Sequence, residues 1–95
     1  MKKAEIMETI TEIISEITNI SKERVDPKAS FMDDYNLDSL RALEILAAVE
    51  NEYNIIINPE KLVEMTTLEN VVEIAVDAMK TAGIEVEESV YADRL

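Results

Sequence analysis

An all-α domain, an irregular four-helix bundle of three long helices and one short one with a long loop between helices one and two, is the fold this sequence predicts. Three observations predict it. One Gly and two Pro in 95 residues are too few for a succession of hairpins. Glu, Ala, Met, Leu and Lys, which lose little freedom on entering a helix, dominate the composition. Apolar residues recur at intervals of three and four along separate stretches, the period of a helix with one buried face.

The first helix is expected from Ala4 to Ile20, where Ile6, Ile10, Ile13, Ile14 and Ile17 form one stripe and Glu5, Glu8, Glu12 and Glu16 lie away from it. Periodicity is then lost from Ser21 to Leu37. Pro27 pushes Asp26 out of the helical region, and Val25, Ala29, Phe31 and Leu37 are scattered anchors for a long loop. Loops of this length in compact domains are usually functional. Asp38 can cap a second helix, on which Leu40, Leu43, Leu46, Ala47, Val49 and Tyr53 share a broad apolar arc. Arg41, Glu44, Asn51 and Glu52 cluster opposite, and Glu50 falls inside the apolar arc with no reason that patterning supplies.

The run from Ile55 to Ile57 has strand propensity but no second strand to pair with, so an extended connector is expected. Asn58-Pro59 reads as an N-cap followed by proline at the first helical position, opening a short helix to about Met65. Thr66 and Glu69 make a capping-box pattern at the head of the last helix, whose Leu68, Val71, Val72, Ala75 and Met79 lead to a stop near Gly83. The expected domain is therefore residues 1–83, with 84–95 a loosely ordered acidic tail.

Composition excludes much chemistry. With no Cys and no His there is no disulfide, no thiol nucleophile, no imidazole base and no Cys or His ligand for zinc. The longest apolar runs are far short of the ~20 residues that span a bilayer. The basic start at Lys2-Lys3 meets acids at once, unlike a signal peptide, so a cytoplasmic protein is expected. A net charge of −12 repels nucleic acid and anionic lipid and attracts basic protein surfaces.

The informative stretch runs from Phe31 to Leu40. It sets Ser39 in the first turn of an amphipathic helix, where unpaired N–H groups and the positive dipole end favour a phosphate ester. No base stands by to activate the hydroxyl, since the nearest charged neighbours are Asp38 and Arg41. Such a serine reads as the substrate of another enzyme and not as a nucleophile.

Asp38-Ser39-Leu40 resembles the attachment motif of acyl carrier proteins. The resemblance extends from about Ala4 to Lys80 and includes the Phe31-x-Asp33-Asp34 stretch, Glu44, Tyr53, Pro59-Glu60 and Thr66-Thr67-Leu68. It implies that Ser39 receives 4′-phosphopantetheine from coenzyme A through a phosphopantetheinyl transferase, and that the arm's thiol carries acyl groups as thioesters. The protein is then a monomeric carrier, not an enzyme. By the same resemblance Asp38 helps the transferase recognise the site and Leu40 anchors the helix start. Arg41, Glu44, Ala48, Asn51 and Glu52 form the face that acyl-transferring or ketosynthase-type enzymes read with basic patches, and Leu43, Leu46, Ala47, Leu62 and Met65 line the acyl pocket.

This chain departs from the family pattern at several places. Tyr35-Asn36 replaces the usual Leu-Gly, a turn that Asn can hold because it tolerates positive φ. Arg41 and Asn51 stand where acids are common, so the face is less negative, which points to a specialised carrier in lipid or polyketide-type synthesis. Ala47 stands where a larger apolar residue is usual, leaving more room for cargo. Peptidyl and D-alanyl carriers are the nearest alternatives. An acidic protein-interaction bundle and a calcium loop are more remote ones. Asp34-x-Asn36-x-Asp38 matches the first three ligands of an EF-hand, but Ser39 replaces its glycine and Ile45 its final glutamate.

Overall fold

The computed structural model describes residues 1–87. Along the chain run α1 (Lys3–Thr18), a 3₁₀ turn (Lys22–Arg24), α2 (Phe31–Tyr35), α3 (Ser39–Tyr53), a 3₁₀ helix (Pro59–Glu64) and α4 (Leu68–Thr81). The fold is the expected bundle, with α1 packed against both α3 and α4. Its core is aliphatic around a single Phe. Ile6, Ile10 and Ile14 of α1 meet Ile45, Leu46 and Val49 of α3 and Leu68, Val71, Val72, Ala75, Val76 and Met79 of α4. Burying each of the larger of these side chains is worth about 1.5–3 kcal/mol against leaving it in water.

The helix ends follow from local chemistry. Asn19, Asn36 and Asn54 end α1, α2 and α3 at φ of 62°, 56° and 53°. The Tyr35-Asn36 departure thus keeps its turn, as expected. Asn58 caps the 3₁₀ helix by accepting from the Glu60 N–H at 2.9 Å, with Pro59 at the first position. The cap of α4 is Thr67, one residue later than expected, and it accepts from the Asn70 N–H at 3.1 Å. Thr66 is instead turned to the Asn70 side chain, whose amide donates to its hydroxyl at 2.8 Å.

The segment expected as one long loop contains two short helices. Ser30 caps α2 by accepting from the Asp33 N–H at 3.2 Å, while the Asp34 carboxylate accepts from the Ser30 N–H at 2.7 Å. Five residues are less than two turns, too short to show a period. The segment is also tied down elsewhere. Phe31 N–H donates to the Thr66 carbonyl at 2.9 Å and Glu69 N–H to that of Pro27 at 3.1 Å, joining it to the head of α4.

Beyond α4 the chain does not leave the domain at Gly83, as the expected boundary had it. Ile84 and Val86 pack on the core, and Lys2 and Glu87 form an isolated parallel bridge. Lys3 N–H donates to the Glu87 carbonyl at 2.8 Å and Glu87 N–H to that of Met1 at 2.7 Å. The packed unit therefore reaches Glu87, and the rest of the expected tail, 88–95, lies outside the described residues.

Candidate functional site

Ser39 is the first residue of α3, exposed, and its helix start is set by the cap before it. The Asp38 side chain accepts from the Arg41 N–H at 3.0 Å, and its carbonyl takes the first helical bond, from Ala42 N–H, at 3.1 Å. Upstream, Leu37 is buried and its N–H returns to the Phe31 carbonyl at 2.9 Å. Leu37 thereby anchors the chain while Asp38, Ser39 and Leu40 turn outward, Leu40 being 64% exposed.

Beside Ser39 opens a cleft of about 500 Å³. Phe31, Met32 and Leu37 form one wall, Ser39 and Ala42 of α3 a second, and Leu62, Val63 and Met65 the third. Of the five residues expected to line an acyl pocket, Leu62 and Met65 are in this cleft. Leu46 is buried in the bundle core instead, and Leu43 and Ala47 are exposed. The reason is the rotation of α3. Ile45, absent from the expected apolar arc, is fully buried, and residues two places to either side of it on a helix point away from the core.

The outward face carries the residues expected to meet partners. Arg41, Glu44, Asn51 and Glu52 are exposed and Ala48 is half-buried. Arg41 Nη1 lies 3.4 Å from a Glu44 carboxylate oxygen and 3.4 Å from the Ile17 carbonyl of α1. Glu50, unexplained by patterning, has a structural task. Its carboxylate accepts from the Ile57 N–H at 2.8 Å, satisfying a half-buried donor of the connector, while its carbonyl accepts from Ile55 N–H at 3.1 Å. An acid followed by an extended run that has no strand to pair with was the only signal of this.

The calcium alternative fails on geometry. Asp34 belongs to α2 and is engaged with Ser30, whereas Asp38 is engaged with α3. Among the described residues no group of three or more carboxylates could hold a metal ion. What the site does fit is a covalently attached arm. It offers an exposed hydroxyl at a helix start, with free N–H groups and positive dipole end suited to a phosphodiester, at the mouth of a cleft that can receive apolar atoms.

Comparison with known proteins agrees. Residues 8–75 match the phosphopantetheine attachment site family. An acyl carrier protein of Thermosynechococcus vestitus is 33% identical over 73 residues, which are 77% of this chain and 90% of that one. A meromycolate extension acyl carrier protein of Mycobacterium leprae is 40% identical over 68 residues, 72% of this chain and 59% of the relative. The structure of an acyl carrier protein from Enterococcus faecalis superposes with a TM-score of 0.69 at 26% identity, covering 82% of this chain and 99% of that one. With a helix-start serine, an apolar cleft beside it and these matches, the chain belongs to the acyl carrier proteins, whose prosthetic group is 4′-phosphopantetheine.

Proposed function

We propose that Ser39 is the attachment point and that the protein delivers acyl groups to lipid or polyketide-type biosynthetic enzymes without catalysing a step itself. The observation that carries this reading is the exposed Ser39 at the capped start of α3, on the rim of the 500 Å³ apolar cleft. The attached arm supplies a thiol on which an acyl group is held as a thioester. This chain's own part is to present and shelter. Asp38 fixes the helix start, Leu40 offers an apolar contact to the phosphopantetheinyl transferase, and Leu62 and Met65 offer apolar surface to the cargo.

Partners of the ketosynthase and acyl-transferase type dock on the outer face of α3, steered by the charge of −12. The same charge opposes self-association and supports a monomer. Arg41 and Asn51 make that face less acidic than the family pattern, which favours a dedicated pathway over general fatty-acid elongation.

Intact mass after incubation with coenzyme A and a broad-specificity transferase tests the assignment. Wild type gains one phosphopantetheine and Ser39→Ala none. Modification at Ser15, Ser21, Ser30 or Ser89, or none in the wild type, overturns it.

A further inference from the structure

Among the described residues the two most exposed large apolar side chains are Ile56, at 88%, and Val63, at 81%. Leu40 and Met32 are the next most exposed, and Leu40 adjoins Ser39 while Met32 lines its cleft, so the attachment site accounts for both. It accounts for Val63 only in part and for Ile56 not at all. Ile56 sits on the connector after α3 and borders a groove of about 180 Å³ with Lys61, Ile74, Asp77 and Ala78. Val63, on the far side of the 3₁₀ helix, borders a groove of about 350 Å³ that shares Lys61, Ile74 and Asp77 with the first and adds Glu64 and Glu73. The two form one track between the 3₁₀ helix and α4, with an aliphatic side chain standing at each end.

The track's apolar groups are Ile56, Ile57, Val63, Ile74 and Ala78, and its carboxylates are Glu64, Glu73 and Asp77, which outnumber the lysines paired with them, Lys61 and Lys3 of α1. Lysines already settle on these acids from inside the chain: Lys3 of α1 pairs with Glu73, and Lys61 with Glu64 at 3.5 Å. Two aliphatic side chains left in water are surface that a partner could bury. A complementary surface would carry apolar side chains flanked by Lys or Arg. Phosphate-bearing polymers and anionic bilayers are repelled by a chain of net charge −12.

We propose that this track is a second docking surface, taking a basic amphipathic segment of a protein partner along α4 and not over Ser39. Val63 and Thr66 belong both to the track and to the cleft beside Ser39, so an occupant would lie next to the attachment site without covering it. A partner held this way can stay bound while another works at α3. The claim rests on the track's own geometry and does not require Ser39 to be modified.

The test is a titration of the ¹⁵N-labelled full chain with a synthetic helical Leu/Lys peptide, its leucines spaced three and four apart, at low salt. Amide shifts confined to 56–64 and 73–81 are expected. Ile56→Asp should weaken binding about tenfold, and a Leu/Glu peptide of the same pattern should not bind. Ile56 is too exposed for the substitution to unfold the domain, which circular dichroism checks. Coenzyme A-dependent modification of Ser39→Ala and Ile56→Asp, run in parallel, separates this claim from the attachment reading, since only the first should block it. Shifts centred on the acidic side of α1 or on Leu40 and Leu43, an Ile56→Asp affinity within about twofold of wild type, or no binding, overturns the proposal.

Discussion

The guanidinium of Arg41 leaves α3 and reaches the carbonyl of Ile17 in the last turn of α1, at 3.4 Å. A cation in the first turn of its own helix meets the positive end of that dipole, but here the charge rests on the negative end of another. The last carbonyls of a helix have no partner within it, so this bond also meets an unmet acceptor. Arg41 therefore joins the Ser39-bearing helix to α1 as well as facing outward.

Arg41→Gln should destabilise the protein by about 1 kcal/mol, because it removes the charge-assisted bond to Ile17 and the pairing with Glu44 without adding a charge at the helix start. The melting temperature should fall by about 4–8 °C, read by circular dichroism. Asn51→Glu changes the charge of the same face with no such bond at stake. It should leave melting unchanged while improving turnover by a general ketosynthase about twofold or more. Equal turnover would mean that partners do not read position 51.

Glu44→Lys should slow modification of Ser39 and leave helicity intact, since Glu44 is exposed and its pairing with Arg41 is a surface one. The wild-type rate should itself fall as salt approaches about 1 M, where screening acts within about 3 Å. Stopped-point mass spectrometry over a salt series measures both.

Glu50→Ala should cost about 1–3 kcal/mol, the penalty for leaving the half-buried Ile57 N–H without its acceptor. Glu50→Gln keeps a carbonyl at that place and should cost less. Urea unfolding of the two variants gives the comparison. Equal losses would show that the carboxylate's charge, not its acceptor, holds the connector.

The tyrosines Tyr53 and Tyr35 should respond in opposite ways to loss of the hydroxyl. Tyr53 Oη is buried without a hydrogen-bond partner of good geometry, whereas Tyr35 Oη donates to the Arg24 carbonyl at 3.2 Å and accepts from Asp26 N–H at 2.7 Å. Tyr53→Phe should leave neutral-pH stability equal or higher, and Tyr35→Phe should lower it by about 1 kcal/mol. Burial, reinforced by Glu52 and opposed by the Thr9 side chain, pushes the Tyr53 phenol up from its ordinary value of 10.0. A raised folded value makes this contribution fully present below pH 10 and lost as pH rises through the folded value, because the unfolded phenol ionises first. Wild type should therefore lose stability above pH 10 faster than Tyr53→Phe in urea midpoints taken across that range.

Strong, sustained periodicity makes α1, α3 and α4 legible in the sequence, and single-residue chemistry does the same for the Asp38 and Asn58 caps. The placement of Ser39 in the first turn of α3 is legible because a capping aspartate directly before it marks the helix start. What patterning could not supply was the rotation of α3. Its outer stripe of Leu40, Leu43 and Ala47 is apolar as well as its inner one, so patterning leaves Ile45 off the buried face and sets Leu43 and Ala47 toward a cleft they do not line. The task of Glu50 was hidden for a different reason, since its partner is a backbone N–H seven residues away. Glu85 and Glu87, after Gly83, bond to the N-terminal segment, a contact between distant parts of the chain that no local window contains.

The three asparagines at the left-handed helix ends bear on the unfolded chain as much as on the folded one. A glycine at each would adopt positive φ without strain, but it would give the denatured ensemble more freedom to lose on folding, about 0.4–1 kcal/mol at each position. By ending α1, α2 and α3 on Asn19, Asn36 and Asn54, a chain with one glycine narrows its own denatured state. A domain this small can thereby keep a cleft open beside Ser39 while drawing part of its stability from disorder that never arises.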